Sequence, residues 1–224
     1  MKLAVFNGSP RGKNSNSKVL IEQFLNGYQA GGVQEVSVCD LVKRTGMAEN
    51  LESAGRAEYI IIIFPLYTDC MPGIVMEFFE ALAAVGALEN QKLGFIVHSG
   101  FPESSQSDHL ERYLAKFAKR TGFEYLGTII KGGSEGIRMM PEQMTRKLFG
   151  RLYELGLHFS KTGEFSEEIT ERLRNPRQMS RFIRLLFPLL SKIGLTNIYW
   201  NSNLKKYKAY GGRFAKPFIN REIY

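Results

Sequence analysis

The chain is poor in the residues that bind metals and close disulfides: 224 residues hold two cysteines, three histidines and one tryptophan. Cys39 and Cys70 stand in neither C-x-x-C nor zinc-ligand spacing. Free thiols in a cytoplasmic protein are therefore expected rather than a disulfide scaffold or a metal site. His98, His109 and His158 are dispersed, and a satisfied structural role is expected for each. There is no low-complexity stretch and no repeat of 20 to 50 residues, which excludes solenoids and propellers. Nor is there an uninterrupted apolar run of the roughly 18 residues that a membrane-spanning helix needs. The opening "MKLAVFNGSP" has one Lys and four apolar residues before Asn7, too short for a secretory signal.

Acidic residues are also scarce, but only in one part of the chain. Residues 1–137 carry 13 Lys and Arg against 15 Asp and Glu, whereas 138–224 carry 17 against 7. A near-neutral segment followed by a strongly basic one suggests two physical roles. The expected division is a core over 1–137 and a helical appendage over 138–224.

Five apolar, β-rich runs alternate with helical patterns in the first segment. The strand candidates are 2–7, 35–39, 59–65, 92–99 and 125–131. "EYIIIIFP" is nearly continuous isoleucine, which marks a strand covered on both faces. Helical spacing appears over 16–29, 72–85 and 106–120, with a shorter, weaker pattern over 45–54. Alternating β and α predicts an α/β fold, a parallel sheet between two helical layers. Right-handed crossovers then favour the flavodoxin-like order 2-1-3-4-5. Beyond Gly136 the strand signals stop. Residues 141–159 and "SEEITERLR" read as helices, 178–195 as a basic amphipathic helix bent at Pro188, and 201–224 as an irregular, Tyr-rich tail.

The stretch "FNGSPRGKNSNSKVL" joins the first strand to the first helix. Small and polar residues there can turn backbone N–H groups and hydroxyls into one hollow at a helix N-terminus, which favours an anion. A P-loop needs GxxxxGK[ST], but Gly8 and Gly12 are one residue too close and Asn14 follows Lys13. A dinucleotide loop needs GxGxxG, and only two of those glycines are present. Asp40 closes the second strand as a ribose-binding acid would, yet without that fingerprint it reads as a loop cap. What remains is a monophosphate ester held by amides and hydroxyls without metal.

"GSPRGKNSNS" resembles the GSPR…N[ST] loop of the NAD(P)H-dependent FMN reductases, a branch of the flavodoxin-like proteins. The resemblance implies FMN as cofactor, its phosphate cradled by Ser9, Arg11, Asn16 and Ser17; Ser15, a further hydroxyl donor in the same loop, is a candidate on its chemistry. Two further loops agree with it. "FPLYTDCMPG", after the third strand, is similar to the family's P-x-Y…PG segment, in which Pro65, Leu66 and Tyr67 would run beneath the flavin ring. "HSGFPESSQS", after the fourth, puts Ser99, Gly100 and Phe101 at the family's second flavin loop. Glu103, Ser104 and Ser105 would either contact the ribityl chain or cap the next helix. The resemblance covers about residues 1–131. Some relatives hold an iron–sulfur cluster on clustered cysteines; Cys39 stands alone, so no cluster is expected. Cys70 reads as a packing residue.

The implied chemistry is hydride transfer from NAD(P)H to flavin N5 and on to a small acceptor: a quinone, a nitro or azo compound, or free flavin. The protein need supply no nucleophile or acid/base residue, and Tyr67 reads as a stacking group. A homodimer is also implied. The alternatives are a flavodoxin-type electron carrier and a partner- or membrane-docked flavin-binding module without turnover. For the basic segment, 178–216, the readings left open are a lid or dimer element, a surface for an acidic partner, or a surface for an anionic membrane. Nucleic acid fits it less well, although "NLKKYKAYGGRFAK" interleaves cations and aromatics.

Overall fold

In the computed structural model the five apolar runs form one parallel sheet. Its strands are β1 (Lys2–Asn7), β2 (Glu35–Asp40), β3 (Tyr59–Pro65), β4 (Lys92–His98) and β5 (Glu124–Lys131), in the order β2-β1-β3-β4-β5. The described residues are 1–216 except Gln34, Arg44, Thr45 and Asn175; for Leu195 and Tyr199 only the backbone is described.

Strand side chains alternate between faces, and here each face has its own core. Phe6, Ile60, Ile62, Phe64 and Phe95 meet α2 (Met47–Arg56), α3 (Gly73–Val85) and α4 (Asp108–Arg120) through Ala54, Phe78, Leu82 and Leu114. Val5, Ile61, Ile63, Ile96 and Ile129 point the other way, onto Leu20 and Phe24 of α1 (Asn16–Ala30) and Leu155 and Phe159 of α5 (Glu142–Thr162). The isoleucine run of β3 is thus shared between two cores. Full burial of one such side chain is worth about 1.5–3 kcal/mol, and a one-residue slip would exchange the two sets.

Helix α5 is what closes the second face. At its crossing with α1 there is no room for side chains: a Cβ on Gly27 would lie 1.9 Å from the Tyr153 carbonyl oxygen, and one on Gly156 1.9 Å from that of Phe24. Two backbones in contact let the Phe159 ring reach Phe24 at 5.8 Å and Tyr59 edge-on at 5.4 Å. Phe165 then covers Gly94 of β4, where a Cβ would meet its ring at 2.8 Å. Helix α6 (Glu167–Arg174) follows, its Arg174 paired with Glu111 of α4 at 2.5 Å.

One compact unit therefore runs from Met1 to Gln178, and a second begins at Met179. The division expected at 137/138 cuts through the first unit. The described residues of 138–178 contain no strand but supply Leu152, Leu155, Phe159 and Leu173 to the second core. The second unit contains α7 (Arg181–Lys192), which continues through Pro188, and α8 (Ile198–Lys206). The tail expected to be irregular from 201 is helical to Lys206 and makes a single 3-10 turn at Tyr210–Gly212. Its last part, 217–224, lies outside the described residues.

Candidate functional site

The first loop is built around Asn7, the last residue of β1. Its Nδ2 donates to Asp40 Oδ1 at 2.8 Å and to the Gly12 carbonyl at 3.0 Å, while its Oδ1 accepts from the Ser9 amide at 3.2 Å. One fully buried amide thus holds both sides of the loop and the end of β2. Gly8 passes so close to β3 and α3 that a Cβ would lie 2.5 Å from Val75 Cγ2 and 2.8 Å from Phe64 Cβ. Gly12 takes a left-handed φ of +53°, open to glycine without steric cost. The chain then enters α1 at Ser15, the N-cap, whose Oγ accepts from the Lys18 amide at 3.1 Å. The amides of Asn16 and Ser17, in the first turn, are donors that the helix itself leaves unpaired.

Beneath the loop lies a buried polar relay. Ser134 Oγ donates to the Ser99 carbonyl at 2.9 Å, so it can only accept from His98 Nδ1, also 2.9 Å away. That places the imidazole proton on Nδ1 and makes Nε2 the acceptor of the Ser17 hydroxyl at 2.7 Å. Burial holds His98 far below its ordinary value, at about 3, and the Arg11 guanidinium pushes in the same direction. The ring is neutral and fully hydrogen-bonded. Asn16 Nδ2 joins the same group through the Ser134 carbonyl at 3.0 Å.

At the carboxyl ends of β1, β3 and β4 a shallow cleft opens, with an enclosed volume of about 30 Å³. Eight of the eleven residues expected from the sequence line it: Ser9, Arg11, Asn16, Pro65, Leu66, Tyr67, Ser99 and Gly100. The other three do not. The Ser15 hydroxyl is turned inward, donating to the Gly12 carbonyl at 2.7 Å. Ser17 is held by His98. Phe101 is exposed, and its carbonyl accepts from Ser99 Oγ at 3.2 Å and from the Gly133 amide at 2.5 Å. Expected as phosphate donors, the Ser15 and Ser17 hydroxyls instead bond within the protein and shape the loop. Ser104 and Ser105 are also away from the cleft, their amides donating to the carbonyls of Pro176 and Arg177 at 3.2 Å each.

The ledge after β3 has an unusual turn. Tyr67 and Cys70 exchange backbone hydrogen bonds of 2.9 and 3.1 Å around Thr68 (φ 50°) and Asp69 (φ 62°). Two positive φ angles define a type I′ turn, which Asn-Gly fits and Thr fits poorly. The turn presents the half-exposed Tyr67 ring beside the cleft.

Sequence reasoning missed the loop after β5. His98 and Glu135 complete the cleft lining, and Glu135 Oε1 lies 3.8 Å from Arg11 Nη1. Arg138 donates to the Asn14 carbonyl, tying this loop to the first. The signal was present in "KGGSEG", a glycine-rich polar run directly after a strand. A larger cavity, about 190 Å³, lies at the opposite ends of β1 and β2 beside Glu35, Glu49 and Glu52. Ligands of open α/β sheets bind at the carboxyl ends of strands, and the cations in this cavity are already paired, Lys2 with Glu35 and Arg56 with Glu52.

The donor set fits a phosphate ester: two first-turn amides, the Ser9 hydroxyl, the Asn16 amide and the Arg11 guanidinium, with an apolar and aromatic ledge alongside. Sequence and structural comparisons agree on the fold. The family model of the flavodoxin-like fold matches residues 1–148, and the chain belongs to that family. No curated protein matches the sequence. Among solved structures, the NAD(P)H:quinone oxidoreductase of Methanothermobacter marburgensis is similar at 16% identity and TM-score 0.56, over 71% of this chain and 96% of that one. The FMN-dependent NADH-azoreductase of Bacillus anthracis, solved with FMN, is similar at 14% identity and TM-score 0.55, over 71% and 100%. RosB, solved with 8-demethyl-8-formylriboflavin-5'-phosphate, is similar at 13% identity and TM-score 0.56, over 86% and 87%.

Proposed function

We propose that the protein is a cytoplasmic, FMN-dependent NAD(P)H oxidoreductase that reduces a small acceptor such as a quinone, an azo or nitro compound, or free flavin. The observation that carries this is convergence. Loops after β1, β3 and β4, chosen from sequence as three parts of one flavin site, line a single cleft beside the N-terminus of α1. The names of similar structures, a quinone oxidoreductase and an FMN-dependent azoreductase, support the same chemistry.

Bound FMN would supply hydride acceptance and donation; the chain supplies binding and orientation. The Asn16 and Ser17 amides, Ser9 Oγ and Arg11 would hold the phosphate, and the α1 dipole favours its charge. Arg11 is shared between the cleft and Glu135, a solvent-exposed ion pair that is weak by itself. Pro65, Leu66 and Tyr67 would support the ring, and Gly100 leaves its backbone open to approach. His98, neutral and buried, positions the loop and takes no part in proton transfer. The open cleft, with the exposed Tyr67 ring in its lining, supports the homodimer expected from the resemblance.

Titration with FMN under anaerobic conditions tests the reading. The protein should quench FMN fluorescence at one equivalent per chain, and the bound flavin should bleach on addition of NADH or NADPH and recover with a quinone. Protein that binds FMN but does not bleach is an electron carrier; protein that ignores FMN refutes the site.

A further inference from the structure

We propose that the second unit docks the protein onto an anionic phospholipid surface, with α7 lying in the plane of the headgroups. The family fold is accounted for by residues 1–148, and what begins at Met179 has a different surface chemistry. Between 179 and 216 there are eight Lys and Arg and no Asp or Glu. Charge of one sign without compensation is a poor interior and a strong attractor for anions.

The charge comes with an apolar face of matching shape. At about 100° per residue, Arg181, Arg184 and Lys192 fall with Ser191 and Pro188 on one narrow arc. The other eight positions of 181–193 are Leu, Ile or Phe and span about 200° of the circumference. No residue of α7 is buried. Phe182 is 72% exposed, Leu185 81% and Leu189 57%. A helix this amphipathic, with its cations on the polar arc, has the form of an interfacial helix. Its 12 residues rise about 18 Å, short of the roughly 30 Å of a bilayer core, so it would lie on the membrane and not cross it. No helix among the described residues is long and apolar enough to span.

The rest of the unit adds the groups that membrane interfaces favour. Trp200 and Tyr207 are exposed on and just after α8. Lys205 and Arg213 lie over the Tyr210 ring at 5.1 and 3.9 Å, which pairs an aromatic body with cationic tips. Nucleic acid would satisfy the cations but leave the wide apolar arc of α7 in water. An acidic lipid surface satisfies both.

Trp200 is the chain's single tryptophan, so its fluorescence reports on this unit alone and needs no assumption about flavin. Full-length protein is mixed with vesicles of phosphatidylcholine and phosphatidylserine at three to one, and with vesicles of phosphatidylcholine alone. The expected result is co-sedimentation and a blue shift of Trp200 with the first only, weakening as salt rises. Arg184→Gln should lower the partition coefficient about five-fold, as for one surface cation. Leu185→Asp should lower it about ten-fold or more, from lost apolar burial alone; circular dichroism should show both variants folded. Absence of binding to either vesicle overturns the proposal, as does equal binding to both. Displacement from anionic vesicles by poly(U) or polyglutamate at equal charge also overturns it, in favour of a nucleic-acid or acidic-protein partner.

Discussion

Replacing His98 by Gln should remove a defined part of the protein's acid sensitivity. The imidazole accepts from Ser17 and donates to Ser134 where it is almost wholly buried, and that burial holds it near 3 against an ordinary 6.5. Its folded value is depressed, so the native state refuses a proton that the unfolded chain accepts. The contribution to stability is complete above about 6.5 and is lost as pH falls toward 3. Integrating over pH 7 to 5, where the native ring stays neutral, gives a loss of about 2 kcal/mol. For a domain of this size that is a fall in Tm of about 4–8 °C. Gln can still accept from Ser17 but does not titrate, so its own curve should lack this component. His109, His158 and the carboxylates are common to both proteins and cancel in the difference. Calorimetry at pH 7, 6 and 5 reads the main transition; Trp200 fluorescence would report on the second unit instead. Whatever stability the substitution costs at pH 7, the two curves should converge as pH falls. Parallel curves would refute the buried, neutral assignment.

Three further outcomes follow from the same geometry. Gly156→Ala should destabilise the first unit by about 3 kcal/mol in urea unfolding, because its Cβ would lie 1.9 Å from the Phe24 carbonyl oxygen; helix propensity alone predicts a gain of about 1 kcal/mol, so the sign decides. Thr68→Asn should raise stability by about 1 kcal/mol by relieving the left-handed backbone of a β-branched residue (φ 50°), and an unchanged melting curve would show that the turn is not strained. Ser17→Ala should cost about 1–3 kcal/mol by leaving the buried His98 Nε2 without its donor, while FMN affinity of the folded protein changes little; the reverse result would return the hydroxyl to the phosphate.

The strands were legible because their signal is local. Runs such as Tyr59–Pro65 state their own burial, and alternation with helices fixes the order of the sheet. The cleft residues were legible for a similar reason: each loop follows its strand directly, and its composition is odd enough to be noticed alone. The failures share a different cause. Whether Ser17 faces a ligand or the core depends on His98, 81 positions away. Whether 142–162 is an appendage or a layer depends on Gly27 and Gly156, which look like weak points in a helix until the two backbones meet. Pairings between distant residues leave no local trace, and the relay and the close helix crossing are both of that kind.

That division bears on how the loop would bind. Composition suggested a cradle of hydroxyls, but the Ser15 and Ser17 hydroxyls bond inward, to the Gly12 carbonyl and the His98 ring. Groups committed to the protein cannot be given to a ligand without losing what holds the loop in shape. Affinity for a phosphate must then rest on the remaining donors: the Asn16 and Ser17 amides, Ser9 Oγ, Arg11 and the one Asn16 Nδ2 proton not given to the Ser134 carbonyl. Amides at a helix start carry the dipole's partial charge and need little ordering when the anion arrives. Of that set, Arg11 alone carries a full charge, and it is shared with Glu135 at 3.8 Å. The buried hydroxyls therefore contribute by fixing where the amides point, and the polar residues most prominent in the sequence act on a ligand at one remove.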